Sequence, residues 1–328
     1  MNPRFLHVAN GSATTNLIQA AGIPGLLSIW ADPLYEGPVP GDITDAELIC
    51  VRARFLASPS ENANDVELGL ARWRQVIDDV DSYDELVLWY EHDLFDQLNL
   101  LQLLSWMSPR LQEATRISLI EIGSFPRHPA FKGLGELAPN ELASLLGTRA
   151  RVTGERHALA ARAWTAFRSA TPEALEELRR TDTSAMPFLG AALNRFLEEY
   201  PWTSDGLSRS ERRLLAIASS GPVDLWTAFS LMHQDETSYL ITDGSFLSLL
   251  QEFSRCSPAL ISVTAASLDV NRIPTGSVTI TAQGRAVLNG DLDRVATYGI
   301  DRWFGGTRLE GNTAIWRWDP TRARVLRT

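Results

Sequence analysis

The chain holds one lysine, Lys132, and two cysteines, Cys50 and Cys256, among 328 residues; every other basic residue is arginine. Two cysteines so far apart in sequence have no metal-ligand or redox spacing, so they read as reduced, mostly buried thiols of a cytoplasmic protein. No apolar run reaches the 18 or so residues that cross a bilayer, and the N-terminus has no secretory signal, so no membrane partner is expected. Three motifs are missing as well. Without Gly-x-x-x-x-Gly-Lys-Ser/Thr there is no P-loop, without Gly-x-Gly-x-x-Gly no dinucleotide fingerprint, and without Gly-x-Ser-x-Gly no nucleophile elbow. Internal repeats and low-complexity segments are also lacking.

Positive charge is scarce in one half only. The formal charge is −10; residues 1–135 carry 9 basic against 18 acidic side chains, and residues 136–328 carry 21 against 22. An acidic front half is a poor non-specific ligand for nucleic acid, which needs clustered cations.

What is present alternates between strand and helix. Residues 5–9, 26–30, 85–90 and 117–122 read as strands, with helices over 14–21, 44–57, 64–80 and 95–107. Leu86-Val87-Leu88-Trp89-Tyr90 is bulky at every position, which marks a strand buried on both faces and hence a parallel sheet. Thr44-Asp45-Ala46-Glu47 and Ser208-Arg209-Ser210-Glu211 have capping-box spacing. From 139 to 200 the pattern is helical without strands. Further helices are expected over 224–233, 246–255 and 283–289, with a short strand over 278–281. Residues 305–309 and 314–318 then read as a hairpin around Glu-Gly-Asn. The expected fold class is α/β: an open, mostly parallel sheet with helices on both faces over residues 1–135. A helical segment follows over 136–204, then a winged-helix-like C-terminal domain over 205–328.

In an open parallel sheet the ligand sits beyond the carboxyl ends of the strands. The candidate strands end at Asn10-Gly11-Ser12, Ala31-Asp32, Glu91-His92-Asp93 and Glu121-Ile122-Gly123-Ser124. Glu91, His92 and Asp93 are the candidate catalytic residues, able to serve as an acid/base set or as oxygen and imidazole ligands of a divalent metal. The plainer alternative makes Asp93 the N-cap of the following helix and leaves Glu91 and His92 to bind neighbouring loops. Asn10, Gly11 and Ser12 offer backbone N–H groups and a hydroxyl to an anion, or simply cap a helix. Arg52 or Arg54 is a candidate clamp for phosphate or carboxylate. Asp32 and Glu36 sit on the stiff, proline-rich loop 31–42 that would wall the site. His7, inside a strand, reads as a satisfied core histidine.

Four blocks in this order resemble the domain-of-unknown-function 1835 family: His7–Ser12, Trp30–Pro40, Val51–Leu56 and Leu88–Leu98. The likeness spans roughly residues 5–125, and the tail resembles the domain that often accompanies that family. It implies architecture and co-occurring motifs, and no reaction, cofactor or metal.

In the tail, Trp303, Trp316 and Trp318 lie beside Arg302, Arg308 and Arg317, a combination that can touch nucleic acid. Trp316 and Trp318 alternate with Arg317, however, so both indoles face one way, inward. Residues 205–328 carry 13 basic and 13 acidic side chains, which disfavours a DNA reader. The function expected is binding, with turnover left open, of a small anionic ligand (a nucleotide or phosphoester) at the strand-tip cleft. The alternative is a ligand-sensing regulator or interaction protein whose tail contacts nucleic acid or a protein, with homo-oligomer formation open.

Overall fold

The computed structural model describes residues 4–57, 61–107, 116–265, 268 and 273–328. The chain divides into two compact units, residues 1–193 with 303–307, and residues 194–302 with 308–328.

The first unit is built on a five-stranded sheet. Its elements begin with β1 (Phe5–Ala9), α1 (Ser12–Ala20), β2 (Leu26–Ile29), α2 (Asp45–Leu56) and α3 (Ala63–Asp78). They continue through β3 (Glu85–Glu91), α4 (Leu94–Met107) and β4 (Ile117–Ile122). Then come α5 (Pro139–Leu145), β5 (Ala150–Arg151), α6 (Gly154–Phe167) and α7 (Glu173–Leu178). The strand order is β2-β1-β3-β4-β5, parallel throughout except for β5. All seven residues of β3 are buried, as its unbroken apolar run demands. Val87 and Trp89 pack with Ile18 of α1 and Leu142 and Leu145 of α5. Alternation turns Leu86, Leu88 and Tyr90 to the opposite face, so helices cover both sides.

Residues 136–193, read in the sequence as a segment of their own, fall in the first unit. They also hold a strand the periodicity does not announce: β5, two exposed residues paired antiparallel with β4. A two-residue strand has too little alternation to register in sequence. It is anchored instead by Glu85, which is buried at the start of β3. Its carboxylate accepts from Ser118 Oγ at 2.5 Å and from Arg149 Nε at 2.9 Å. Burial pushes the Glu85 carboxyl up, but these two donors outweigh it and hold the group below its usual range.

Helix α4 is apolar nearly all round and buried nearly throughout, the pattern of a helix covered on every side. Its few polar side chains are therefore informative. Asp96, Gln97, Asn99 and Gln102 are all buried, and each reaches the end of a strand. Asn99 Oδ1 accepts from the Asp32 N–H and its Nδ2 donates to the Asp32 carbonyl, both at 2.8 Å. Gln102 Oε1 accepts from Trp30 Nε1 at 2.8 Å.

Helix α8 (Leu189–Leu197) leads into the second unit, whose elements are α9 (Arg209–Ala218), β6 (Val223–Asp224), α10 (Leu225–Met232) and α11 (Asp243–Arg255). The strands β7 (Ile261–Ala265) and β8 (Gly276–Ile280) follow, then α12 (Ala282–Leu288) and α13 (Arg294–Tyr298). The last strands are β9 (Ile300–Phe304), β10 (Thr307–Gly311), β11 (Trp316–Asp319) and β12 (Arg324–Arg327). Ser208 caps α9 with the full box: its side chain accepts from the Glu211 N–H, and Glu211 reaches back. An antiparallel sheet in the order β6-β8-β7 packs with α9, α10 and α11 around Leu214, Phe246, Leu250 and Val278.

The hairpin expected between residues 305–309 and 314–318 does not form. Strand β9 pairs with β10, and β11 with β12. Gly305, at φ +61, makes the β9–β10 turn rather than entering a strand, so the Gly-Gly pair is punctuation that the sequence reading placed inside a strand. Trp316 and Trp318 are both buried, as their spacing requires.

Candidate functional site

The order β2-β1-β3-β4 makes the gap between β1 and β3 the place where connections depart in opposite directions. In sheets of this kind the ligand crevice opens there. Register pairs Ala9 with Trp89; Asn10 follows directly on β1, and Glu91, two residues beyond Trp89, is the last residue of β3. The two side chains meet. Asn10 Nδ2 donates to Glu91 Oε1 at 3.0 Å and to Asp96 Oδ2 at 3.1 Å, while Asn10 Oδ1 accepts from the Thr14 hydroxyl at 2.7 Å. Only the amide nitrogen can donate to a carboxylate, so this network also sets which way the Asn10 amide faces.

Glu91 Oε1 also accepts from the Leu134 N–H at 2.6 Å. Asp96 Oδ1 accepts from the Glu91 N–H at 3.1 Å, which ties the first turn of α4 back to the strand it follows. Gln97 Nε2 donates to the Glu91 carbonyl and to Glu121 Oε1, each at 2.9 Å. Asp93 takes the capping role: its Oδ1 accepts from the Asp96 N–H at 2.9 Å.

Glu91, Asp93 and Asp96 thus gather three buried carboxylates, one oxygen of each lying within 4.8 Å of the others. No arginine or lysine among the described residues makes an ion pair with any of them. Burial, and secondarily the charge of Asp93, pushes the Glu91 carboxyl up to about 7. Burial raises Asp93 as well. Asp96 is held well above its usual range by burial and then by Glu91 and Asp93. Three like charges in low dielectric are relieved by protons or by a cation. The spacing suits one divalent ion, but backbone and amide N–H groups around the cluster already occupy acceptor sites on all three carboxylates. Protons meet the same electrostatic need without displacing those donors.

Glu91 alone of the three opens onto a cleft of about 300 Å³ lined by Asn10, Gly11, Ala13, Thr14, Glu91, Lys132, Gly133, Gly135 and Glu136. Its Oε2 accepts no hydrogen bond among the described residues. Gly133 is the reason that oxygen has room, since a Cβ there would sit 2.6 Å from it. On the facing wall α1 begins at Gly11 with no side-chain cap, so its first-turn N–H groups have no side-chain acceptor. Lys132, the chain's single lysine, is exposed at the rim, with no carboxylate at ion-pair distance among the described residues.

The remaining candidates lie elsewhere. Asp32 and Arg52, expected to face the ligand, face each other. Arg52 Nε and NH2 donate to Asp32 at 2.6–3.1 Å, and the rest of the guanidinium takes the Pro33 and Glu36 carbonyls. Both are buried, so the pair pins loop 31–42 from inside and offers nothing to a ligand. Glu36 contributes its carbonyl to that clamp and is absent from the cleft lining. Arg54 is exposed on α2, and Ser12 is exposed at the start of α1 without lining the cleft. His92 turns away into a ring cluster, 5.9 Å from Phe188 and 6.5 Å from Phe131, with a sealed Nδ1 that has no partner. His7 is a satisfied core histidine: Nδ1 accepts from Trp89 Nε1, Nε2 donates to the Pro24 carbonyl, and burial lowers its pKa.

Sequence reasoning missed Asp96, Lys132, Gly133 and Glu136. Asp96 had a signal, since it lies three residues after an N-cap Asp and so on the same side of the first turn. The other three sit on a loop that only folding carries back to the strand tips. Neither a protein-family model nor a curated protein sequence matches this chain.

Proposed function

We propose that the cleft between β1 and β3 binds a small anionic ligand, a nucleotide or other phosphoester, and that Glu91 exchanges a proton with it. One observation carries the reading. A buried carboxyl pushed up to about 7 opens onto a cleft whose facing wall is an uncapped helix start and whose rim holds an unpaired lysine. Near neutrality such a carboxyl is half protonated, which is the condition for an efficient general acid or base. Its neutral form also removes the repulsion that a carboxylate would impose on an anion. The N–H groups of the first turn of α1 and Lys132 supply the attraction.

The test is thermal stabilisation by inorganic phosphate, nucleoside monophosphates and phosphosugars, each titrated over several concentrations. Lys132→Ala should weaken the shift. Glu91→Gln, which keeps a neutral oxygen for Asn10 and Leu134, should retain binding and lose any turnover. A protein that no phosphate ligand stabilises overturns the reading.

A second reading is favoured by the order of elements in the second unit. Helix, strand, two helices and two strands, with the last strand central in the sheet, is the arrangement of a winged helix. The protein would then be a sensor that passes ligand occupancy to a partner. DNA is a poor candidate for that partner. The exposed positions of α11 include Asp243, Ser248, Glu252 and Arg255, and Arg302, Arg308 and Arg317 are all paired with carboxylates.

A further inference from the structure

Resting on the anion-binding reading, we infer that the ligand of the β1/β3 cleft is a phosphorylated sugar or polyol and not a nucleotide. The inference comes from the inventory of the walls. The nine described residues lining the cleft include no ring and nothing more apolar than alanine. A nucleobase needs an apolar or aromatic slot, and the nearest ring in sequence, Phe131, is committed to the core with Val87, Trp89 and Leu134.

What the walls do offer suits hydroxyl groups. Glu91 is 5% exposed, and the oxygen it turns to the cleft, Oε2, accepts no hydrogen bond among the described residues. A side chain buried to that extent with an acceptor left over has a hydrogen bond to offer a donor in the cleft. Glu136 stands beside it, with one carboxylate oxygen accepting the Lys132 N–H at 3.0 Å and the other available. Carboxylates accept hydrogen bonds from vicinal hydroxyls and repel phosphate, so the two glutamates belong to the polyol end. Lys132 and the first turn of α1 belong to the phosphate end. Gly133 and Gly135, lacking side chains, let a compact ring lie close to the backbone.

The experiment measures affinity of the full chain for ribose 5-phosphate, glycerol 3-phosphate, AMP and inorganic phosphate by titration calorimetry, in the wild type and in Glu136→Ala. Glu136 is exposed, so the substitution spares the fold. Ribose 5-phosphate or glycerol 3-phosphate should bind at least about tenfold more tightly than both AMP and inorganic phosphate. Glu136→Ala should cut that advantage by about tenfold or more, the worth of one hydrogen bond to a charged group. AMP binding as tightly as ribose 5-phosphate overturns the inference and leaves the anion reading intact. An advantage unchanged in Glu136→Ala also overturns it, because the glutamates would then not be reading hydroxyls. If none of the four binds, the anion reading itself fails.

Discussion

At the scale of single residues, Glu91 is where burial turns into pH dependence. Its carboxyl is raised from 4.5 to about 7 on folding. A group raised in the folded state adds stability that is complete below its unfolded pKa and is lost as pH rises through the folded one. Ionising Glu91 between pH 4.5 and 7 therefore costs about 3 kcal/mol at most, on the basis of 1.36 kcal/mol per unit. Glu91→Gln should flatten this slope and leave the protein more stable than wild type at pH 8, measured by denaturant melts across pH. A variant whose stability falls with pH as steeply as wild type would show that Glu91 is not the titrating group. His7 works in the opposite direction: its lowered pKa means that stability falls as pH drops below 6.5. Comparing the variant with wild type separates the two effects. Nothing in the tripeptide Glu-His-Asp indicates which of its members meets solvent. That depends on the bend from β3 into α4, which turns Glu91 to the cleft, His92 to the rings and Asp93 to the cap.

At the scale of elements, α4 decides the shape of the site. Its pattern was legible as a helix, and its start was legible from Asp93. What the pattern hid is that the polar residues of an otherwise apolar helix lie toward strand ends. Asn99 shows the consequence. It satisfies both backbone groups of Asp32, and Asn99→Leu would leave a buried N–H and a buried carbonyl unpaired. The expected loss is about 2–6 kcal/mol, from roughly 1–3 kcal/mol for each of the two orphaned groups. Chemical denaturation measures it; a loss under about 1 kcal/mol would mean that water or a rearranged loop replaces the amide. The strands were legible where they are long and bulky. They were missed at β5 and β6, where two residues carry no period. They were also missed at β7, β9 and β12, whose runs mix small or charged residues with apolar ones and so lack an unbroken apolar stretch.

At the scale of the whole molecule, residues distant in sequence complete the first unit. The Gly306 N–H donates to the Phe167 carbonyl at 3.0 Å, and the Val39 N–H donates to the Gly305 carbonyl at 2.9 Å. A Cβ on Gly306 would collide with the Arg168 carbonyl. Gly306→Ala should therefore destabilise by about 1–3 kcal/mol, as overpacking does, and should lower the melting temperature. Unchanged melting would show that the 303–307 segment is not needed by the first unit. The charge balance of the second unit leads to another expectation. Binding to duplex DNA should be weak at low salt and show no steep salt slope, which a filter or anisotropy titration reads directly. A slope equivalent to several released counterions would restore nucleic acid as a partner.

The sequence by itself determined the α/β class, the positions of the first four strands of the sheet and of several capped helices, and a set of polar strand tips that includes Asn10 and Glu91. These follow from local physics: burial on both faces writes an unbroken apolar run, caps have fixed spacing, and parallel strands place their ends together. Only the tertiary structure decided that Arg52 and Asp32 neutralise each other and that His92 faces away. It alone brought Asp96 to join Glu91, and Lys132 with Gly133 to close the cleft. Each of these is a pairing across tens of residues. A charged side chain in a folded protein takes the partner that burial leaves within reach, and sequence spacing does not record which one that is.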